Sequence, residues 1–80
     1  MNSSVIKHAN ALAQDVLFDK DRMRIVLLDG RELIVPLEWF PKLRKAADAQ
    51  RKAWRLIGKG VGIHWESLDE DISVAALLER

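Results

Sequence analysis

The chain, 80 residues long, contains no cysteine. That absence excludes disulfides, thiolate metal sites and a cysteine nucleophile, and it suits a reducing cytoplasm, the location expected here. No apolar run approaches the roughly 18–20 residues needed to cross a bilayer. The N-terminal stretch has no signal-peptide core, because Lys7, His8, Asn10, Gln14 and Asp15 interrupt it. Net charge is nearly missing too: the formal sum is +1, so the whole molecule exerts no strong field. None of Ser3, Ser4, Ser67 and Ser73 stands in the G-x-S-x-G setting of a hydrolase nucleophile. No repeat, linker or low-complexity tract divides the sequence.

What is present is the composition of a small globular domain, 49% hydrophobic and 31% charged. A chain of this length buries roughly 60–65% of its unfolded surface, so its core is small. The charges are sorted. Residues 42–55 hold six basic residues and one acid, net +5, whereas residues 66–80 hold five acids and one base, net −4. A neutral sum therefore hides a bipolar surface.

Residues 1–13 read as a partly ordered N-terminal segment, either a short helix begun by Ser3 or Ser4 or a frayed end. Residues 14–80 read as a single α+β domain. "QDVLF", "RMRIVLL" and "RELIV" are strand candidates, with a turn signal at "DKD" and Asp29-Gly30 between the second and third. A two-residue Asp-Gly loop pairs Leu28 with Arg31, Val26 with Leu33 and Arg24 with Val35. One face then carries Val26, Leu28, Leu33 and Val35; the other carries Met23, Ile25, Leu27 and Ile34. Pro36 ends the third strand. Pro41 suits the first position of a helix over 41–57, with Leu43, Ala46, Ala47, Trp54 and Ile57 on its apolar side and Gly58 as its cap. Residues 61–65 read as a last strand, and "SLDE" at 67–70 as the capping box of a short C-terminal helix. The expected fold is α+β, β-β-β-α-β-α: a small antiparallel-rich sheet, one long helix packed on it and a short C-terminal helix.

"GVGIHWESLDED", residues 60–71, invites sharper readings. Its glycines resemble a phosphate loop, but the expected order, helix then strand, is the reverse of what such loops need. The plainer reading is a helix cap plus a glycine that admits a close neighbour. His64, Glu66, Asp69, Glu70 and Asp71 offer nitrogen and oxygen ligands, yet one histidine among carboxylates is weak for zinc, and the spacing is not that of a calcium loop. No metal and no cofactor are expected. His64 beside Asp69 or Asp71 fits a general base in outline, though nothing places a substrate beside it; a structural His64, hydrogen-bonded to a turn, explains it more simply. These five residues remain a secondary candidate surface.

The primary candidate is the basic stretch: Lys42, Arg44, Lys45, Arg51, Lys52 and Arg55. It could be a solvated face, an acidic-protein site or a track for a phosphate backbone. Base reading would want more than Gln50 beside the arginines, and Asp48 interrupts the run. Trp39, Trp54 and Trp65 are a heavy tryptophan load; at least two belong in the core, and any left exposed would anchor an interface.

"LLDGRELIVPLEWFPKLRKA", "QRKAW", "IGKGVGIHW" and "LDEDISVAALL" together resemble the bacterial family called domain of unknown function 2442, over about residues 14–78. The resemblance implies a compact α+β domain and no established catalytic residues. Some members look like the antitoxin half of two-gene toxin–antitoxin modules, and others carry a downstream helix-turn-helix domain. Because this sequence ends at "LLER", any DNA binding is expected from the α+β domain itself. The expected function is therefore non-enzymatic: a cytoplasmic, antitoxin-like partner that neutralises a small toxin by covering its surface. The alternatives are a nucleic-acid-binding or regulatory module using residues 42–55, and a phage or mobile-element inhibitor of a host nuclease complex. A protein partner is expected, nucleic acid is the rival, and no membrane is involved.

Overall fold

A computed structural model describes residues 11–79. The Ser3 or Ser4 helix start and His8 lie outside the described residues. Two three-stranded antiparallel sheets make up the fold, with strand orders β1-β2-β3 and β4-β5-β6. The first comprises β1 (Ala13–Phe18), β2 (Arg22–Leu27) and β3 (Glu32–Pro36). A 3-10 turn, Leu37–Trp39, leads to two short helices, α1 (Pro41–Lys45) and α2 (Asp48–Lys52). The second sheet comprises β4 (Trp54–Ile57), β5 (Gly62–Trp65) and β6 (Glu70–Ser73), and α3 (Val74–Leu78) follows.

The first sheet follows the sequence pattern with one correction. Its central strand is β2, as expected, but Val26 pairs with Glu32, Ile25 with Leu33 and Met23 with Val35. The loop holds three residues, not two: Gly30 N–H donates to Leu27 O (3.0 Å), and Leu27 N–H donates to Arg31 O (2.8 Å). Gly30 has the positive φ expected of it, +95°. The extra loop residue shifts the register by one, and a one-residue shift exchanges the faces of β3. Met23, Ile25 and Leu27 consequently share the buried face with Leu33 and Val35, while Ile34 and Leu28 are more than half exposed.

The long helix over 41–57 does not exist. Ala46 and Ala47 are extended, with ψ of 154° and 158°, and residues 54–57 are a strand. Helix propensity is a weak prior that packing overrides. Continuing the helix would have presented Ala46 and Ala47, which have little apolar area to bury. As a strand, Trp54 and Leu56 instead pair with Trp65 and Ile63 on the inner face. The break is sealed by Arg51, whose Nε and Nη2 donate to the carbonyls of Leu43 (2.8 Å) and Arg44 (2.7 Å) at the end of α1. Half a capping box starts α2: Gln50 Oε1 accepts from the N–H of Ala47 (3.1 Å), and alanine has no side-chain acceptor to complete it.

The expected C-terminal helix start is likewise corrected. Residues 66–69 are a turn, Asp69 takes a positive φ of 51°, and Glu70–Ser73 form β6 against β5. Ser73, not Ser67, caps the last helix, its Oγ accepting from Ala76 N–H (3.2 Å).

Both inner faces join one core with Leu37, Leu43 and Val74, and among the described residues no polar or charged one is buried. Trp65 is fully buried and Trp54 packs against this core, whereas Trp39 is 44% exposed. The sheets meet at Gly60, where an added Cβ would lie 2.5 Å from Ala13 O.

Candidate functional site

The six residues of the basic stretch do not form one face. Lys42, Arg44 and Lys45 lie on α1, Arg51 and Lys52 on α2, and Arg55 on β4. Arg51 is turned inward: its side chain is 15% exposed, and its guanidinium closes α1 while facing Asp48 at 3.7 Å. It holds the fold and is not available to a partner. Lys42 donates from Nζ to Asp69 O (3.1 Å), tying α1 to the turn before β6. Arg44, Lys45 and Lys52 are exposed and form no ion pair among the described residues. They remain the cationic surface, with exposed Trp39 just ahead of α1.

Arg55 belongs to the second candidate instead. Register places Arg55, His64 and Asp71 side by side on β4, β5 and β6, on the outer face of the second sheet. His64 Nδ1 contacts Asp71 Oδ1, its Nε2 lies 3.1 Å from Glu66 Oε1, and Arg55 Nη2 lies 3.3 Å from the same glutamate oxygen. The four groups alternate in sign when His64 is protonated. The hydrogen bond that His64 donates to the Asp71 carboxylate raises the His64 pKa above its ordinary value; partial burial opposes this, the charges of Asp71 and Glu66 reinforce it, and Arg55 lowers it. Asp69 and Glu70 of the same acidic run stay out of this network. Asp69 contributes a backbone carbonyl to Lys42, and Glu70 sits opposite Trp65. Of the two acids offered as partners of a His64 base, the fold selects Asp71. Among the described residues, no group of three or more His, Asp and Glu side chains is arranged to hold a metal ion.

Beside this row lies an apolar groove of about 290 Å³, lined by Ile57, Val61, Gly62 and Ile72 with Asp71 and Ser73. Gly62 makes it possible: a Cβ there would come within 3.0 Å of the Ile57 side chain, which lies across the glycine. The close approach expected of a glycine in this stretch thus occurs twice, at Gly60 by backbone and at Gly62 by a side chain. Sequence reasoning missed the groove, because two of the strands that line it, β4 and β6, carry the sequence signals of helices.

The family described as "Protein of unknown function (DUF2442)" matches residues 13–80. The chain belongs to this family. Among solved structures, a protein of unknown function from Rhodospirillum rubrum is 31% identical, with 86% of each chain covered and a TM-score of 0.73. The uncharacterized protein CV0863 from Chromobacterium violaceum shares the fold at 22% identity and a TM-score of 0.76, covering 95% of this chain and 72% of that one. No curated protein matches. The DUF2442 match includes the Asp-Gly-Arg turn, the Gly-x-His-Trp strand and the Leu-Asp-Glu-Asp-Ile segment. These are the elements that position Gly30, the His64 row and β6. Among the described residues, no helix is long and apolar enough to cross a membrane.

Proposed function

We propose that this DUF2442 chain is a small non-enzymatic protein-binding domain, an antitoxin-like partner that covers an acidic surface of a small toxin. One observation carries the reading: Arg44, Lys45 and Lys52 crowd two short helices without ion-pair partners among the described residues. Exposed cations without counter-charges attract an anionic partner and steer its association. Trp39, exposed at the entry to α1, supplies an aromatic anchor beside the charges. A nucleic acid would use the same cations, but three of them neutralise few phosphates and leave weak binding at physiological salt.

The test captures partners from producing cells with the tagged full chain and with an Arg44→Glu/Lys45→Glu/Lys52→Glu variant. Duplex DNA is titrated in parallel at about 50 and 200 mM salt. The wild type retains an acidic protein and the variant loses it; co-production of the chain restores the growth that this protein arrests. Retention by the variant rejects the cationic surface as the interface. Tight, salt-sensitive DNA binding that the variant loses replaces this reading with the nucleic-acid one.

A further inference from the structure

Among the described residues, no strand pairs with the outer edge of the second sheet. β6 is the last strand in the order β4-β5-β6. Val74 N–H donates to Val61 O (3.1 Å), which fixes the phase of the β5–β6 ladder. Hydrogen-bonded pairs then alternate from Val61/Val74 to Ile63/Ile72 and Trp65/Glu70. By the same alternation, the backbone N–H and C=O of Asp71 and the N–H of Ser73 point away from β5, while the Ser73 carbonyl, at the N-cap, opens the ladder of α3. Side chains on the outer face are set in two rows that run to this edge: Ile57–Gly62–Ser73, and Arg55–His64–Asp71. The first row contains the apolar groove; the second ends in a carboxylate whose side chain is 69% exposed.

We infer that the outer edge of β6 and the groove beside it receive an extended segment of a partner protein carrying an apolar residue followed two places later by lysine or arginine. An antiparallel segment exchanges backbone hydrogen bonds with Asp71 and accepts one more from the Ser73 N–H, the mode by which strands add to sheet edges. Its residue opposite Ser73 lies in the first row and meets Ile57 and Val61, which are 37% and 55% exposed. Two residues later its side chain lies opposite Asp71, where Oδ1 faces His64 and Oδ2 is left to accept from a cation. The occupant is not a second copy through the same edge, because its own outward-bonding residues, Asp71 and Ser73, would then lie opposite one another or themselves, which places neither a cation opposite Asp71 nor an apolar side chain opposite Ser73. Nor does β3 offer a match, since its edge presents Glu32 and ends in Pro36.

The surface shares no residue with Arg44, Lys45 and Lys52, so the two readings fail separately. The probe is a short acetylated threonine-rich peptide with a valine-x-arginine pattern, titrated into the isotopically labelled full chain and followed by amide chemical shifts. Controls replace the valine by asparagine or the arginine by aspartate. The expected result is movement of the Gly62, Asp71 and Ser73 amides with those of Arg44, Lys45 and Lys52 unmoved. Affinity falls about tenfold or more for each control peptide and for an Ile57→Lys chain, the usual scale for one apolar contact in a pocket. The Arg44→Glu/Lys45→Glu/Lys52→Glu chain binds the peptide like the wild type. No shift with the patterned peptide, equal binding of all three peptides, or indifference to Ile57→Lys overturns the inference.

Discussion

The two sheets share their strand order and their antiparallel sense, but they are held up in different ways. Strands of six, six and five residues make the first, and each of its turns is closed by its own aspartate. Asp19 accepts from the N–H groups of Asp21 (3.2 Å) and Arg22 (3.0 Å), and Asp29 accepts from Arg31 (3.0 Å). The second sheet has strands of four residues, and left-handed backbone at Lys59 and Asp69 strains its turns. Its support comes from outside. Gly60 lies on Ala13, the Trp65 indole N–H donates to Arg51 O (2.9 Å), and Lys42 reaches Asp69 O. The first sheet is therefore closed by local contacts, and the second is assembled on it. On the present account the second sheet and the helices leading into it carry the binding chemistry, and the first is scaffold.

The largest effect expected is at the joint. Gly60→Ala puts a Cβ against the Ala13 backbone at a φ of +110°, and backbone cannot step aside as a side-chain tip can. A loss of about 2–4 kcal/mol is expected in denaturant unfolding. Gly30→Val strains only the first hairpin, because nothing lies within 4 Å of its Cβ position. It should cost about 1–3 kcal/mol from the positive φ alone. Equal losses at the two glycines would erase the distinction between joint and hairpin. Ser73→Ala should cost about 0.5–2 kcal/mol by uncapping α3, while Ser67→Ala should stay within about 0.5 kcal/mol; thermal melts of the two variants check the order.

The smallest effects separate the sheets by pH. The Asp29 carboxyl is held below its ordinary 3.8, chiefly by the N–H of Arg31. Its contribution is complete above the unfolded value and disappears as pH falls through the folded one. His64 is held above its ordinary 6.5, so its contribution is complete below that value and disappears as pH rises through the folded one. Unfolding midpoints measured across pH should lose their acid slope in Asp29→Asn and their near-neutral slope in His64→Gln. Unchanged profiles would show that neither group distinguishes the sheets.

The same contrast explains what was legible in the sequence. β1, β2 and β3 announce themselves because their signals are local: Asp-Gly, branched apolar runs and Pro36. Even there the register slipped by one, since a three-residue loop and a two-residue loop leave nearly the same trace. β4 was hidden because "AADAQRKAW" is rich in helix formers, and only the pairing of Trp54 with Trp65 reveals a strand. β6 was hidden because "SLDE" imitates a helix start, while the serine that caps a helix stands six residues later. Candidate residues fared likewise. Their exposure in α1 was readable, but the inward turn of Arg51 and the meeting of Arg55, His64 and Asp71 depend on partners distant in sequence.

The most direct test maps a captured protein partner onto the chain by amide chemical shifts of the labelled domain, titrated to saturation. The account predicts shifts on α1, α2 and the second sheet, with Leu17, Arg24 and Ile34 on the outer face of the first sheet unmoved. Shifts centred on Leu17, Arg24 and Ile34, with Arg44, Lys45 and Lys52 silent, would contradict it.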